Sequence, residues 1–277
     1  MEAAAVELVE LLESDHQAVV EQALQAVLGY SDDPEGIALL RDLPPPAAAP
    51  QSLLQLAVRS VSQPKLRTDA VVALVNLSSD AAIAAELSQA GAAATGLALA
   101  AAAGSGATGG GVAAQHRLLQ LCCNLTRNNS AVAALLGGEE DGSGKATDQL
   151  GRITEQLLAA VDAGDAAALP ALGALLRMLT NVTAEPDGQA YAMTLLGSLL
   201  RESVVQSEDD DVRAGLCVAI SIDHTCACEA HSSQRRSSAL LVTLRRRACN
   251  SHRYGRRLFF CACCCWVDVR ACMRLLG

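Results

Sequence analysis

The sequence predicts an all-α protein, arranged as a right-handed α-solenoid of stacked helical repeats. Three observations predict it. Hydrophobic residues make up 51% of the 277 positions but aromatic residues only 2%, so the apolar surface is mostly Ala, Leu and Val, a fine-grained set that suits close helix packing. No long stretch shows the alternating Val, Ile, Thr and Tyr of a strand. A short pattern, an apolar helix ending in Asn, an aliphatic residue and then Ser or Thr, recurs along the chain.

Apolar residues at helical spacing give a first helix from Val6 to about Leu12. A second, His16 to Leu28, puts Val19, Val20, Ala23, Leu24, Val27 and Leu28 on one face, with Asp15 placed to cap its start and Gly29 to stop it. Pro34 suits the first turn of a short helix continuing from Glu35 to Arg41. Four prolines between Leu43 and Pro50 then break the chain into a loop.

Three later segments superimpose. Residues 70–78 read Ala-Val-Val-Ala-Leu-Val-Asn-Leu-Ser, residues 118–126 read Leu-Leu-Gln-Leu-Cys-Cys-Asn-Leu-Thr, and residues 175–183 read Leu-Leu-Arg-Met-Leu-Thr-Asn-Val-Thr. Each is followed by a few polar or turn residues and another Ala/Leu-rich helix, at Asp80 to Leu87, Ser130 to Leu136 and Gly188 to Leu200. The separations Asn76 to Asn124 and Asn124 to Asn181 are 48 and 57 residues. Both exceed the roughly 40–47 residues of a plain repeat of this kind. Two insertions, expected between repeats, account for the excess: the Gly-rich run Gly104 to Gly111 and the acidic Gly/Ser run Gly137 to Gly144. With a further helix from about Asp209 to Ile220, residues 1–222 hold four or five repeats.

Charge divides the chain in two. Ten Arg and three acids follow residue 222; the totals of 21 basic and 30 acidic residues leave 11 and 27 before it, a balance of −16 against +7. An acidic body repels phosphates, which argues against nucleic acid and anionic membranes and favours basic protein segments as partners. Acids near Met1 and the lack of an apolar run argue against a secretory signal, so the expected location is cytoplasmic. The uncharged stretch from Leu87 to His116 is too rich in Ala, Gly, Ser and Thr for a membrane span and reads as a loop flanked by Ala-rich helix. The Arg/Cys-rich segment 223–277 reads as disordered or spurious, on its abrupt change of composition.

No catalytic constellation emerges, and no enzyme or cofactor is expected. The glycines at 104–111 precede no Gly-Lys-Ser/Thr and follow no strand, no convincing nucleophile elbow exists, and His16 and His116 stand alone in helical contexts. Cys122, Cys123 and Cys217 read as buried apolar residues. Cys226-Ala-Cys228 and Cys261-Ala-Cys263-Cys264-Cys265 lack the paired spacing of a structural zinc site, so no metal is expected. The carboxylates at Glu139 to Asp141 and Glu208 to Asp211 read as solvated loops or a helix N-terminus.

The apolar-helix-plus-Asn endings resemble the last helix of armadillo repeats, the helix that lines the concave surface, with HEAT repeats a near relation. More closely, the order Val6-Glu7-Leu8-Val9-Glu10-Leu11-Leu12, Ala73-Leu74-Val75-Asn76-Leu77-Ser78, Cys123-Asn124-Leu125-Thr126 and Leu179-Thr180-Asn181-Val182-Thr183 resembles the HGH-homolog family. Those are eukaryotic armadillo-type proteins whose described role is as a dedicated chaperone for translation elongation factor 2. The likeness covers roughly residues 5–222 and stops where members of the family continue through further helices. It implies a monomeric, non-catalytic scaffold with elongation factor 2 as client. It also implies that Asn76, Asn124 and Asn181 grip the backbone of an extended partner, since an amide both donates and accepts hydrogen bonds. The structural alternative is that each Asn bonds a neighbouring loop or the last turn of its own helix. Two other armadillo functions stay open, a nuclear-import adaptor of the importin-α kind and an Hsp70 nucleotide-exchange cofactor. The first lacks the recurring groove Trp, because Trp266 in the tail is the only one.

Overall fold

Proline and aspartate set where several helices begin. The computed structural model describes residues 2–44, 48–60, 62–105, 111–127 and 144–183, with single residues 132, 135, 188 and 212. Helix α1 spans Glu2–Leu11 and α2 Gln17–Ser31. Helix α3, Pro34–Arg41, opens on proline behind Asp33, whose carboxylate accepts the Gly36 N–H at 3.1 Å. Helix α4, Ala49–Arg59, has Pro50 in its first turn, and α5, Pro64–Leu77, starts on Pro64. Helix α6, Ala81–Gln89, is capped by Asp80, which accepts from the N–H groups of Ala82 and Ile83 at 2.9 and 3.1 Å. Gly91, at φ 73°, takes the left-handed conformation that lets α7, Ala92–Gly104, follow α6 almost at once. Helices α8 (Gly111–Leu125), α9 (Gly144–Asp162) and α10 (Ala168–Val182) complete the set. The described residues thus hold ten helices and no strand.

The all-α expectation holds, with several local corrections. His16, not Asp15, is the N-cap of α2, and its side chain makes no capping bond. Gly29 does not stop that helix. Tyr30 packs against the core and the Ser31 hydroxyl donates to the Leu28 carbonyl at 2.8 Å, so two more residues stay helical. The proline-rich loop ends sooner than expected, since proline in a first turn gives up an N–H that would have no partner anyway. The Gly-rich run 104–111 joins α7 to α8, two helices packed directly on one another. The expected helices at 130–136, 188–200 and 209–220, the acidic clusters at 139–141 and 208–211, Cys217 and the whole segment 223–277 lie outside the described residues, save single positions.

Packing follows two rows. Helices α2, α5, α8 and α10 touch in that order, and each lies against a partner on its other side: α1, α4, α7 and α9 respectively. Helix α7 touches both α4 and α9, which makes the partners from α4 onward a second row. Short α3 and α6 fill the turns; α3 contacts α1 and α2, and α6 contacts α4, α7 and α8. One continuous cluster of buried residues runs from Ala5 through Leu24, Leu74, Leu97, Leu119 and Leu157 to Leu179. Small side chains allow a close approach between α7 and α8, where the Cys122 thiol lies 3.6 Å from the Ala93 carbonyl and Gly96 faces the same sulfur. Among the described residues, no helix is long and apolar enough to cross a membrane.

Candidate functional site

The three asparagines occupy one register in three consecutive helices of the first row. Each stands in the last turn of its helix and reaches back to the C-terminal turn of the preceding one. Asn76 Nδ2 donates to the Ser31 hydroxyl at 3.2 Å and the Asp32 carboxylate at 2.6 Å. Asn124 Nδ2 donates to the Ser78 hydroxyl at 2.9 Å and the Val75 carbonyl at 3.2 Å. Asn181 Nδ2 donates to the Thr126 hydroxyl at 3.2 Å and the Cys123 carbonyl at 3.0 Å. The accepting Ser78 and Thr126 each lie two residues after an asparagine, so the Asn-x-Ser/Thr motif supplies both halves of a ladder. Asn76 meets the ladder's first rung, where Gly29 stands in the asparagine position before Ser31.

Helix ends explain the arrangement. The last carbonyls of an α-helix have no partner within the helix and must be satisfied from outside. The Ser31, Ser78, Thr126 and Thr183 hydroxyls each reach the carbonyl three residues back in their own helix, at 2.8, 2.8, 3.2 and 2.8 Å, Thr126 sharing its hydrogen with the nearer Cys122 carbonyl at 2.9 Å. The asparagine of the next helix then donates to that hydroxyl and, at Val75 and Cys123, to the same carbonyl, whose two lone pairs take both bonds. Carbonyls and carboxylates only accept, which fixes Nδ2 toward the preceding helix and turns Oδ1 the other way. Both Nδ2 hydrogens of each asparagine are used, and among the described residues no donor reaches Oδ1. All three side chains are half-buried. The partner is therefore the C-terminal turn of the previous helix in the row, 44 to 58 residues earlier in the chain. The Ser or Thr of the motif was the signal for it, and only the stacking shows what that residue meets.

A second amide cluster centres on one fully buried side chain. Gln115 of α8 is 0% exposed, and its Nε2 donates to Gln156 Oε1 of α9 at 2.7 Å. Gln156 Nε2 in turn donates to the Ala101 carbonyl of α7 at 3.2 Å, so one bridge ties three helices. Gly104 makes room for it, because a Cβ there would collide with both amides. Elsewhere, Arg41 at the end of α3 lies 3.1 Å from Asp80, which caps α6. Hydrogen bonds from the Ile83 and Ala82 N–H groups, with Arg41 beside it, hold the Asp80 carboxyl below its ordinary range.

Among the described residues, the remaining chemistry-bearing groups make no reactive set. Cys122 and Cys123 are buried thiols outside any disulfide, and burial, with Cys123 beside it, pushes the Cys122 thiol up to about 12. His16 is exposed; His116 is half-buried and lies among cations, its pKa lowered by burial and by Arg117 and Arg177. An open groove of about 240 Å³ lies between the α1–α2 and α4–α5 turns, but its Arg59 donates to the Leu12 carbonyl. No group of three His, Cys, Asp or Glu able to hold a metal ion occurs among the described residues. Neither the protein-family models nor the curated proteins compared with this chain gave a match.

Proposed function

We propose that this chain is a non-catalytic, protein-binding scaffold of armadillo type, a right-handed solenoid that binds through the row α2–α5–α8–α10, and that its client is translation elongation factor 2, held during folding in the cytoplasm. The observation that carries the scaffold reading is the asparagine ladder, one residue type in one register on successive helices of one row. Such regular spacing suits a repeating ligand, and the backbone of an extended polypeptide is one. The three Oδ1 atoms are acceptors for its N–H groups while Nδ2 holds the stack. Mechanism is passive: apolar burial and backbone hydrogen bonds delay release of an incompletely folded segment. The choice of client rests on the resemblance to the HGH-homolog family over residues 5–222.

Purified full-length chain and purified elongation factor 2 test the proposal by sedimentation velocity. A saturable complex, weakened by the double substitution Asn124→Ala/Asn181→Ala, is the expected result. No complex from a chain with a folded helical spectrum would overturn the client. A double variant that binds as well as the original while melting earlier would make the asparagines purely structural.

A further inference from the structure

The ladder occupies the C-terminal ends of its helices, and the groove between the α1–α2 and α4–α5 turns lies at the opposite end of two of them. It opens at the starts of α2 and α5, where the first N–H groups of a helix have no partner within the helix. At α3 and α6 such groups are capped by Asp33 and Asp80. At α2 and α5 the N-cap residues are His16 and Gln63; neither side chain makes a capping bond, and no acid stands in either first turn. The N–H groups of Gln17 and Ala18 in α2, and of Lys65 and Leu66 in α5, make no backbone hydrogen bond among the described residues. Acceptors at the facing end of α1 are already engaged. The Val9, Glu10 and Leu11 carbonyls take the N–H groups of Leu12, Glu13 and Ser14, and the Leu12 carbonyl takes Arg59 Nη2. The groove is therefore rich in donors.

Ser60 indicates what those donors meet. It lines the groove and is 4% exposed, yet among the described residues its hydroxyl makes no hydrogen bond. As the C-cap of α4 it stands where Ser78 stands in α5 and Thr183 in α10, and both of those hydroxyls reach back into their own helices. A buried hydroxyl without that bond has its hydrogen left for a ligand. Arg59 adds to it, since a guanidinium carries five N–H donors and the Leu12 carbonyl engages Nη2. Beside this polar side the groove is lined by Val20, Leu56 and Leu66, none more than 7% exposed.

We infer that this groove binds a carboxylate borne on an aliphatic residue, as at the C-terminus of a polypeptide or on a free acid of the same chemistry. The carboxylate takes the Ser60 hydroxyl, Arg59 and the open N–H groups, and the aliphatic side chain lies against Val20, Leu56 and Leu66. Negative charge is favoured at helix N-termini, and hydrogen bonds to an ionised acceptor are the strong ones. Asp15, exposed and also lining the groove, favours a single negative charge over the nearly double charge of a phosphate monoester. With about 240 Å³ the groove falls below the roughly 300–1,000 Å³ of most small-molecule sites and has room for one residue. The inference goes beyond the scaffold reading, because it uses no residue of the ladder.

The probe is a pentapeptide with uncharged side chains ending in leucine, labelled with a fluorophore at its N-terminus and measured by fluorescence anisotropy against the full chain at low salt. The same peptide with an amidated C-terminus is the control. The acid form binds about tenfold more tightly than the amide. Ser60→Ala weakens the acid form about fivefold and leaves the amide unaffected, while Asp15→Asn tightens the acid form about twofold. Neither substitution changes the helical spectrum, and the double substitution Asn124→Ala/Asn181→Ala leaves peptide binding as it was, so failure here and failure of the ladder are read separately. An amide that binds as well as the acid, or no binding of either, overturns the inference. So does an acid form indifferent to both Ser60→Ala and Asp15→Asn, which would place it on the Arg-rich segment 223–277. Competition separates the two sources: N-acetyl-leucine that displaces the probe as well as unlabelled peptide does assigns the groove to a free acid, and weaker displacement assigns it to a chain end. Inorganic phosphate displacing the probe better than either would overturn the carboxylate assignment.

Discussion

Two sets of side-chain amides join helices in this molecule, and they solve the task differently. The asparagine ladder is repeated and half-buried, and each rung meets the end of the preceding helix, two of the three at a helix carbonyl. The Gln115–Gln156 bridge occurs once, with Gln115 fully buried, and it occupies space that only a glycine at 104 leaves open. A rung lost at the half-exposed ladder can be replaced by water, whereas a partner lost at the bridge strands a desolvated amide. The ladder is therefore the place where sequence can vary at modest cost, and the bridge is where it cannot.

The comparison breaks first at Gly104. Gly104→Val drives a branched side chain into both amides, and we expect a loss of about 3 kcal/mol or failure to fold, read from urea unfolding monitored by circular dichroism. A loss below about 1 kcal/mol would mean that the amides have room to move and the bridge is loose. Gln156→Ala comes next, expected to cost about 1–3 kcal/mol because the Gln115 amide is left buried without its acceptor. Replacing both with Gln115→Leu and Gln156→Leu should recover part of that loss, since apolar groups leave nothing unsatisfied. Gly29→Ala has the smallest effect and the opposite sign. Gly29 is helical and exposed, with nothing near its missing Cβ, so alanine should stabilise by about 0.5–1 kcal/mol through lower unfolded-state entropy and better helix propensity. A destabilised Gly29→Ala would show that α2 does not run through to Ser31.

Much of this was legible from residue order. The periodicity of Val20, Ala23, Leu24 and Val27 marked α2, and the run Leu118 to Thr126 marked the end of α8, because one apolar stripe is all an amphipathic helix needs to declare itself. Helix α4 was hidden by its prolines, read as breakers although Pro50 falls in a first turn where proline is harmless. Helix α9 begins directly at the end of the acidic Gly/Ser run, whose composition masks its start. The asparagines were visible as a recurring oddity, but their partners were not. Ser78 lies 46 residues from Asn124, and only stacking of α5 against α8 brings the two together. The burial of Gln115 has no signal in the sequence, since nothing in the local pattern shows that α7 and α9 both cover it.

The central claim is that each asparagine couples its helix to the hydroxyl of the one before, and a double-mutant cycle on Asn124→Ala and Ser78→Ala tests it most directly. Stabilities of the original, both single variants and the double variant come from urea unfolding of the full chain. The ladder predicts a coupling energy of about 0.5–1.5 kcal/mol between the two positions. Effects that add to within about 0.3 kcal/mol would contradict it, because two residues that do not touch have no reason to feel each other's loss.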